Sequence, residues 1–113
     1  MTKATFRKKE DLWTEFEISG HSGYANSGSD IVCAGISTAV IMSINLIDKL
    51  IQNGFEVIQN EKKGYICLTN IDYSKVSSET KSIIDMVFET LLETLQSIEQ
   101  DYPKNLKVKI ENN

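Results

Sequence analysis

"IVCAGISTAVIMSINLI", residues 31–47, runs without a charge between Asp30 and Asp48. A membrane-spanning helix needs roughly 17–25 predominantly apolar residues, so the run sits at the short limit. Ser37, Thr38, Ser43 and Asn45 interrupt it. It reads instead as a core helix of a folded domain with no membrane contact. Ser29 and Asp30 are both good N-cap types, and Gly54 supplies a C-terminal stop, so the helix is expected to end near Asn53. The run is apolar on nearly every face before Asp48, so its first half is expected to lie deep in the protein.

N-terminal to this helix, the stretch from Gly20 to Ser29 holds three glycines, Asn26 and several serines, the composition of a loop. Before it, "ATFRKKEDLWTEFEISG" (residues 4–20) reads as a hairpin turning near Glu10 and Asp11. Ala4, Phe6 and Lys8 form one face of the first strand. Leu12, Thr14, Phe16 and Ile18 form one face of the second, opposite Trp13, Glu15 and Glu17.

C-terminal to the helix, "FEVIQNEKKGYICLTN" (residues 55–70) reads as a second hairpin with its turn at Glu61–Gly64, and places Cys67 in a strand. Ser77 or Ser78 caps a long helix that ends near Tyr102, before the only proline, Pro103. Ile84, Phe88, Leu91, Leu95 and Ile98, widened by Ile83, Val87 and Leu92, make a stripe broad enough to pack on a sheet. Glu79, Asp85, Glu89 and Glu93 read as its solvated face. "NLKVKIE" closes the chain as an edge-like strand guarded by lysines, and the tail "ENN" is expected to fray. The order is ββαββαβ. Two helices on a mostly antiparallel sheet predict an α/β (α+β) two-layer sandwich, and residues 1–113 form one domain.

At 41% hydrophobic residues the chain can bury a core without disulfides. Its two cysteines read as reduced thiols of a cytosolic protein. A net charge of −4 argues against a direct nucleic-acid surface but leaves a basic protein or peptide substrate open. "MTKATFRKKEDLW" has no apolar segment of the kind a signal peptide needs. One histidine and two cysteines are too few for a zinc site without a carboxylate or a second chain, so no metal is expected. With no glycine-rich phosphate motif, no cofactor is expected either.

The chemistry concentrates in "GHSGYANSGSDIVCAG", residues 20–35, which holds His21 and Cys33. With Asp30 as N-cap, Cys33 sits in the first helical turn. Unpaired amides and a partial positive charge there favour a thiolate, an imidazole can shuttle a proton, and the free amides can hold an oxyanion. Asp30 either caps the helix or orients His21. Gly35, costly inside a helix, suggests a close approach at that point. The bland alternative is a small buried cysteine after an ordinary loop.

"GHSGYANSGSDIVCAGIS" (residues 20–37) closely resembles the signature of the ribosomal-processing cysteine protease family called Prp. The "DIVCAG" match is unbroken at residues 30–35, and the element order fits over nearly the whole chain. The resemblance implies Cys33 as nucleophile and His21 as general base and acid, with Asp30 and Ser37 in supporting places. It implies a cytoplasmic homodimer that removes a short N-terminal extension from the large-subunit ribosomal protein numbered twenty-seven, cutting just after aromatic residues. Ser22 stands where many members have alanine. A loop bearing Gly20, Gly23 and Gly28 is expected to gate the substrate. The alternative is a non-catalytic, ribosome-associated binding module of the same fold.

Overall fold

The computed structural model describes residues 1–26 and 28–113; Ser27, inside the expected loop, lies outside the described residues. The elements are β1 (Thr2–Lys9), β2 (Leu12–Ser19), α1 (Ile31–Leu50), β3 (Glu56–Asn60), β4 (Tyr65–Thr69), α2 (Ser78–Asp101) and β5 (Leu106–Asn112). A short 3-10 turn at Tyr73–Lys75 precedes α2. The expected ββαββαβ order is therefore the observed one. The five strands form one mixed sheet in the order β3-β4-β2-β1-β5. β1 and β5 pair in parallel, and the remaining neighbours are antiparallel. The α2 helix lies on β2 and β5, and α1 packs along α2.

In the first hairpin, Glu10 and Asp11 both take positive φ (50° and 65°), the backbone of a two-residue turn whose twist matches the strands. The simple alternation expected in β2 fails at one point. Arg7 pairs with Glu15 but Lys8 pairs with Trp13, so Thr14 is an extra, bulged residue. The bulge turns Trp13 inward with Phe16 and Ile18. Trp13 stacks on Phe88 at 5.8 Å, and Phe88 meets the edge of Phe16 at 5.2 Å. These rings, with Phe6, Ile84, Leu91 and Leu95, centre the core.

Capping chemistry sets the start of both helices. Asp30 caps α1 and Ser77 caps α2, each accepting the amide three residues on. After α1 ends, the left-handed position falls to Asn53 (φ 63°) and not to Gly54. Two expectations are corrected here. Only one stripe of α1 is buried, formed by Val32, Ile36, Val40, Ser43 and Ile47. Ile31, Ile41, Met42 and Leu46 are exposed, because a single helical neighbour on one side leaves the far face uncovered. By length and composition alone, α1 is a helix that can cross a membrane; its buried stripe joins the protein's own core. The C-terminal tail does not fray as a whole: β5 includes Glu111 and Asn112, and the Asn113 amide donates to the Lys8 carbonyl at 2.8 Å. On α2, Ile83 faces outward and does not widen the stripe.

The sheet face away from the helices carries polar side chains. Arg7 on β1 is ringed by Glu15 and Glu17 of β2 and Glu111 of β5. The Tyr65 hydroxyl donates to Glu17 at 2.6 Å, and the Thr69 hydroxyl to Glu15 at 2.6 Å. This network ties β5, β1, β2 and β4 together across the face.

Candidate active site

Asp30 organises the site from the start of α1. One carboxylate oxygen accepts the Cys33 amide at 2.9 Å. The other accepts the Ser22 hydroxyl in a short hydrogen bond, and the amides of Tyr24 at 3.2 Å and Ala25 at 3.4 Å. The Ser22 hydroxyl and these amides hold the Asp30 carboxyl below its ordinary pKa. Of the two roles open to Asp30 from sequence, capping is therefore the one the geometry takes. Its partners are the loop and the helix that carries Cys33, not the His21 ring.

Cys33 is half-buried in the first turn of α1, on the wall of a cleft of about 310 Å³. Ser37 follows one turn later on the same wall, and His21 faces the cleft from the end of β2. Ile18, Ile36, Val40, Ile41 and Ile66 make the lining largely apolar, with Gln59 and Glu61 at polar positions. The tertiary fold thus brings His21, Cys33 and Ser37 to one cavity. No hydrogen bond joins His21 to Cys33 among the described residues. The His21 Nε2 lies 3.2 Å from the Lys62 carbonyl instead. A carbonyl only accepts, so this contact selects the tautomer with its proton on Nε2 and leaves a lone pair on Nδ1.

The backbone around the histidine is tightly packed. Gly64, at φ 60°, passes so close that an added Cβ would lie 2.6 Å from the Gly20 carbonyl oxygen and 2.9 Å from His21 Cε1. Gly20, at φ 90°, leaves no room either: a Cβ there would sit 2.6 Å from the Met1 carbonyl oxygen. Gly23 and Gly28 also have positive φ but open space around them. Of the three expected gating glycines, Gly20 is thus a packing contact, and the spatial freedom lies at the other two. Gly35 is exposed, and a Cβ there would make only ordinary contact with Ile98 at 3.8 Å, so no close approach within the chain requires a glycine at that position.

The amides of the first turn divide into two groups. That of Cys33 goes to the Asp30 side chain and that of Ala34 to the Asp30 carbonyl. Among the described residues, the amides of Ile31 and Val32 have no acceptor, as is usual for the free first-turn amides of a helix. Cys67 belongs elsewhere. It pairs with Glu17 on the sheet, is 3% exposed, and burial pushes its thiol up to about 11.

The arrangement so far is a cysteine at a helix start, an imidazole with its Nε2 tethered, and an apolar cleft that both line. Comparison with known proteins supplies the family. The model of cysteine protease Prp matches residues 1–107. This chain belongs to the Prp family of cysteine proteases. The ribosomal processing cysteine protease Prp of Bacillus subtilis is 31% identical over 111 residues, covering 96% of each chain. That of Staphylococcus aureus is 26% identical over 95 residues, covering 84% of each. The fold also matches the crystal structure of the S. aureus Prp with a covalently linked product peptide, at a TM-score of 0.82 and 24% identity. It spans 98% of this chain and 100% of that one. A Streptococcus mutans protein matches at a TM-score of 0.81 over 100% of this chain and 96% of its own.

Within this Prp-family site, sequence reasoning named His21, Cys33, Asp30 and Ser37 but missed three contributors. The Lys62 carbonyl leaves no sequence signal, since every residue has one. Gly64 looked like a turn residue, and only the fold shows that it lies against His21. Asn105, before β5, donates to the Ser22 carbonyl at 3.0 Å across a separation of 83 residues.

Proposed function

We propose that this chain is a cytoplasmic cysteine endopeptidase that removes the N-terminal extension of the large-subunit ribosomal protein numbered twenty-seven, cutting just after aromatic residues. The carrying observation is that Cys33 and His21 line one cleft while the Lys62 carbonyl orients the imidazole. In this reading His21 Nδ1 takes the Cys33 proton, and Sγ attacks the scissile carbonyl carbon. The amides of Ile31 and Val32 meet the oxyanion. Collapse breaks the C–N bond, and His21 delivers its proton to the leaving amine. Water then attacks the thioester with His21 as base, and the acid product leaves as Cys33 is reprotonated.

Three features support the substrate assignment. The apolar cleft suits bulky apolar side chains before the cut. The chain's net charge of −4 suits a basic ribosomal protein. Relatives in two bacteria carry the name ribosomal processing protease. The loop glycines with space around them, Gly23 and Gly28, are where a substrate-gating loop would turn, and the active form is proposed to be a homodimer.

The test is to incubate the protein with the extended ribosomal protein and read the new N-terminus by mass spectrometry. Cys33→Ala abolishes turnover, and His21→Ala lowers it by about 10²–10⁴-fold, the usual contribution of a general base. Near wild-type turnover by His21→Ala overturns the base assignment. Binding of the extension without cleavage by the unaltered protein favours the non-catalytic binding module.

A further inference from the structure

We propose that Asn105 is a positioning residue for His21, acting through the backbone of Ser22. The segment that carries His21 has little stiffness of its own, since Gly20 and Gly23 flank it closely. Its rigidity has to come from contacts with other elements. On one side the Gly20 carbonyl accepts the Thr2 hydroxyl at 3.5 Å. On the other side, Ser22 is 1% exposed, and its carbonyl accepts the Asn105 side-chain amide at 3.0 Å.

Asn105 is itself a fixed point. Its amide donates to the Tyr102 carbonyl at 2.9 Å, and its carbonyl accepts the Thr2 amide at 2.9 Å. It therefore joins the end of α2, the start of β1 and the histidine segment at a single residue. A donor is what the site requires there, because the group it meets is a carbonyl. The Ser22 hydroxyl is already engaged with Asp30, so the Ser22 residue is held at both its side chain and its carbonyl. Loss of the Asn105 donor leaves that buried carbonyl unpaired and frees the Ser22–Gly23 peptide, one residue beyond the histidine. A displacement of about 1 Å in a reacting group can cost about 10²-fold in rate.

This inference rests on His21 being the catalytic base, and the experiment separates the two. Peptide turnover on the extended ribosomal protein is measured for Asn105→Ala, Asn105→Asp, His21→Ala and the double variant His21→Ala/Asn105→Ala. Asn105→Ala is expected to lower kcat by about 10–100-fold with KM within about twofold, because the ground-state cleft is unchanged. Asn105→Asp keeps the size and the backbone bonds but, ionised near neutral pH, offers no proton; it is expected to match the alanine variant in kcat, and both variants are expected to stay folded at the assay temperature while melting somewhat below the unaltered protein. Adding Asn105→Ala to His21→Ala is expected to change the residual rate by less than about twofold, since the residue it positions is gone. Full activity in Asn105→Asp overturns the proposal, as does an equal loss in both backgrounds, which marks a structural effect. An unimpaired His21→Ala overturns both the positioning role and the base assignment, whereas an inactive His21→Ala beside an active Asn105→Ala overturns the positioning role alone.

Discussion

The two cysteines differ in surroundings in a way that one reagent can read. Cys33 opens on the cleft, while Cys67 is buried with its thiol pushed up to about 11 by desolvation and the neighbouring Glu15 charge. Only the thiolate alkylates quickly. Iodoacetamide at about pH 8 is expected to label Cys33 in the folded protein and both cysteines after denaturation, as peptide mapping would show. Prior labelling of Cys67 would mean that the strand opens more readily than its burial implies. A second contrast lies between two glycines. Gly23→Ala meets open space and costs about 1–2 kcal/mol for left-handed backbone alone. Gly64→Ala adds a collision with the Gly20 carbonyl and the His21 ring. It is expected to lower the melting temperature further and to depress turnover beyond its effect on stability. Equal effects of the two variants on turnover would remove Gly64 from the site.

At the level of elements, α2 holds the sheet through its apolar stripe, and the bulge at Thr14 is what gives that stripe its central partner. Without the extra residue, Trp13 would point to the outer face with Glu15. Phe88 is 0% exposed between Trp13 and Phe16. Phe88→Ala is expected to cost about 3–5 kcal/mol in denaturant unfolding. A cost below about 1 kcal/mol would mean that the neighbouring rings collapse into the space. The α1 helix is the less embedded of the two. It carries Cys33 at one end and leaves Ile41, Met42 and Leu46 in solvent, so its start is fixed chiefly by the Asp30 cap and by the stripe from Val32 to Ile47.

Across the whole molecule, carboxylates fasten the parts that the core does not. Asp30 joins loop to helix; Glu17 and Glu111 join three strands through Arg7. The Tyr65 hydroxyl and then Arg7 hold Glu17 below its ordinary value, and Arg7 holds Glu111 below its own. A carboxyl whose folded pKa lies below its unfolded pKa stabilises fully above the unfolded value. That stabilisation is lost as pH falls through the folded value. The melting temperature is therefore expected to be flat above about pH 5 and to fall progressively below about pH 4. Arg7→Met is expected to flatten part of that acid decline, because Glu17 and Glu111 then return toward ordinary values. An identical acid profile in Arg7→Met would show that the network contributes nothing to folding.

Much of the architecture was legible from local pattern. Period-two runs marked β1 and β2, a run broken at Glu61–Gly64 marked the β3–β4 hairpin, Ser29 or Asp30 and Ser77 or Ser78 marked the helix starts, and "DIVCAG" marked the candidate site, because alternation, turns, capping and motif are properties of neighbouring residues. What lay between distant residues was not legible. The Thr14 bulge depends on register with β1, so the sequence alternation put Trp13 on the wrong face. The exposure of half of α1 depends on how many neighbours the fold places around it, which hydropathy cannot count. The parallel pairing of β5 with β1, and with it the seat of Asn105 beside Ser22, follows from where the chain returns after α2. Local sequence determined which segments form helix and strand and which residues are the candidates for chemistry; only the tertiary structure decided which backbone groups meet His21, because a carbonyl or a glycine gains its meaning from what packs against it.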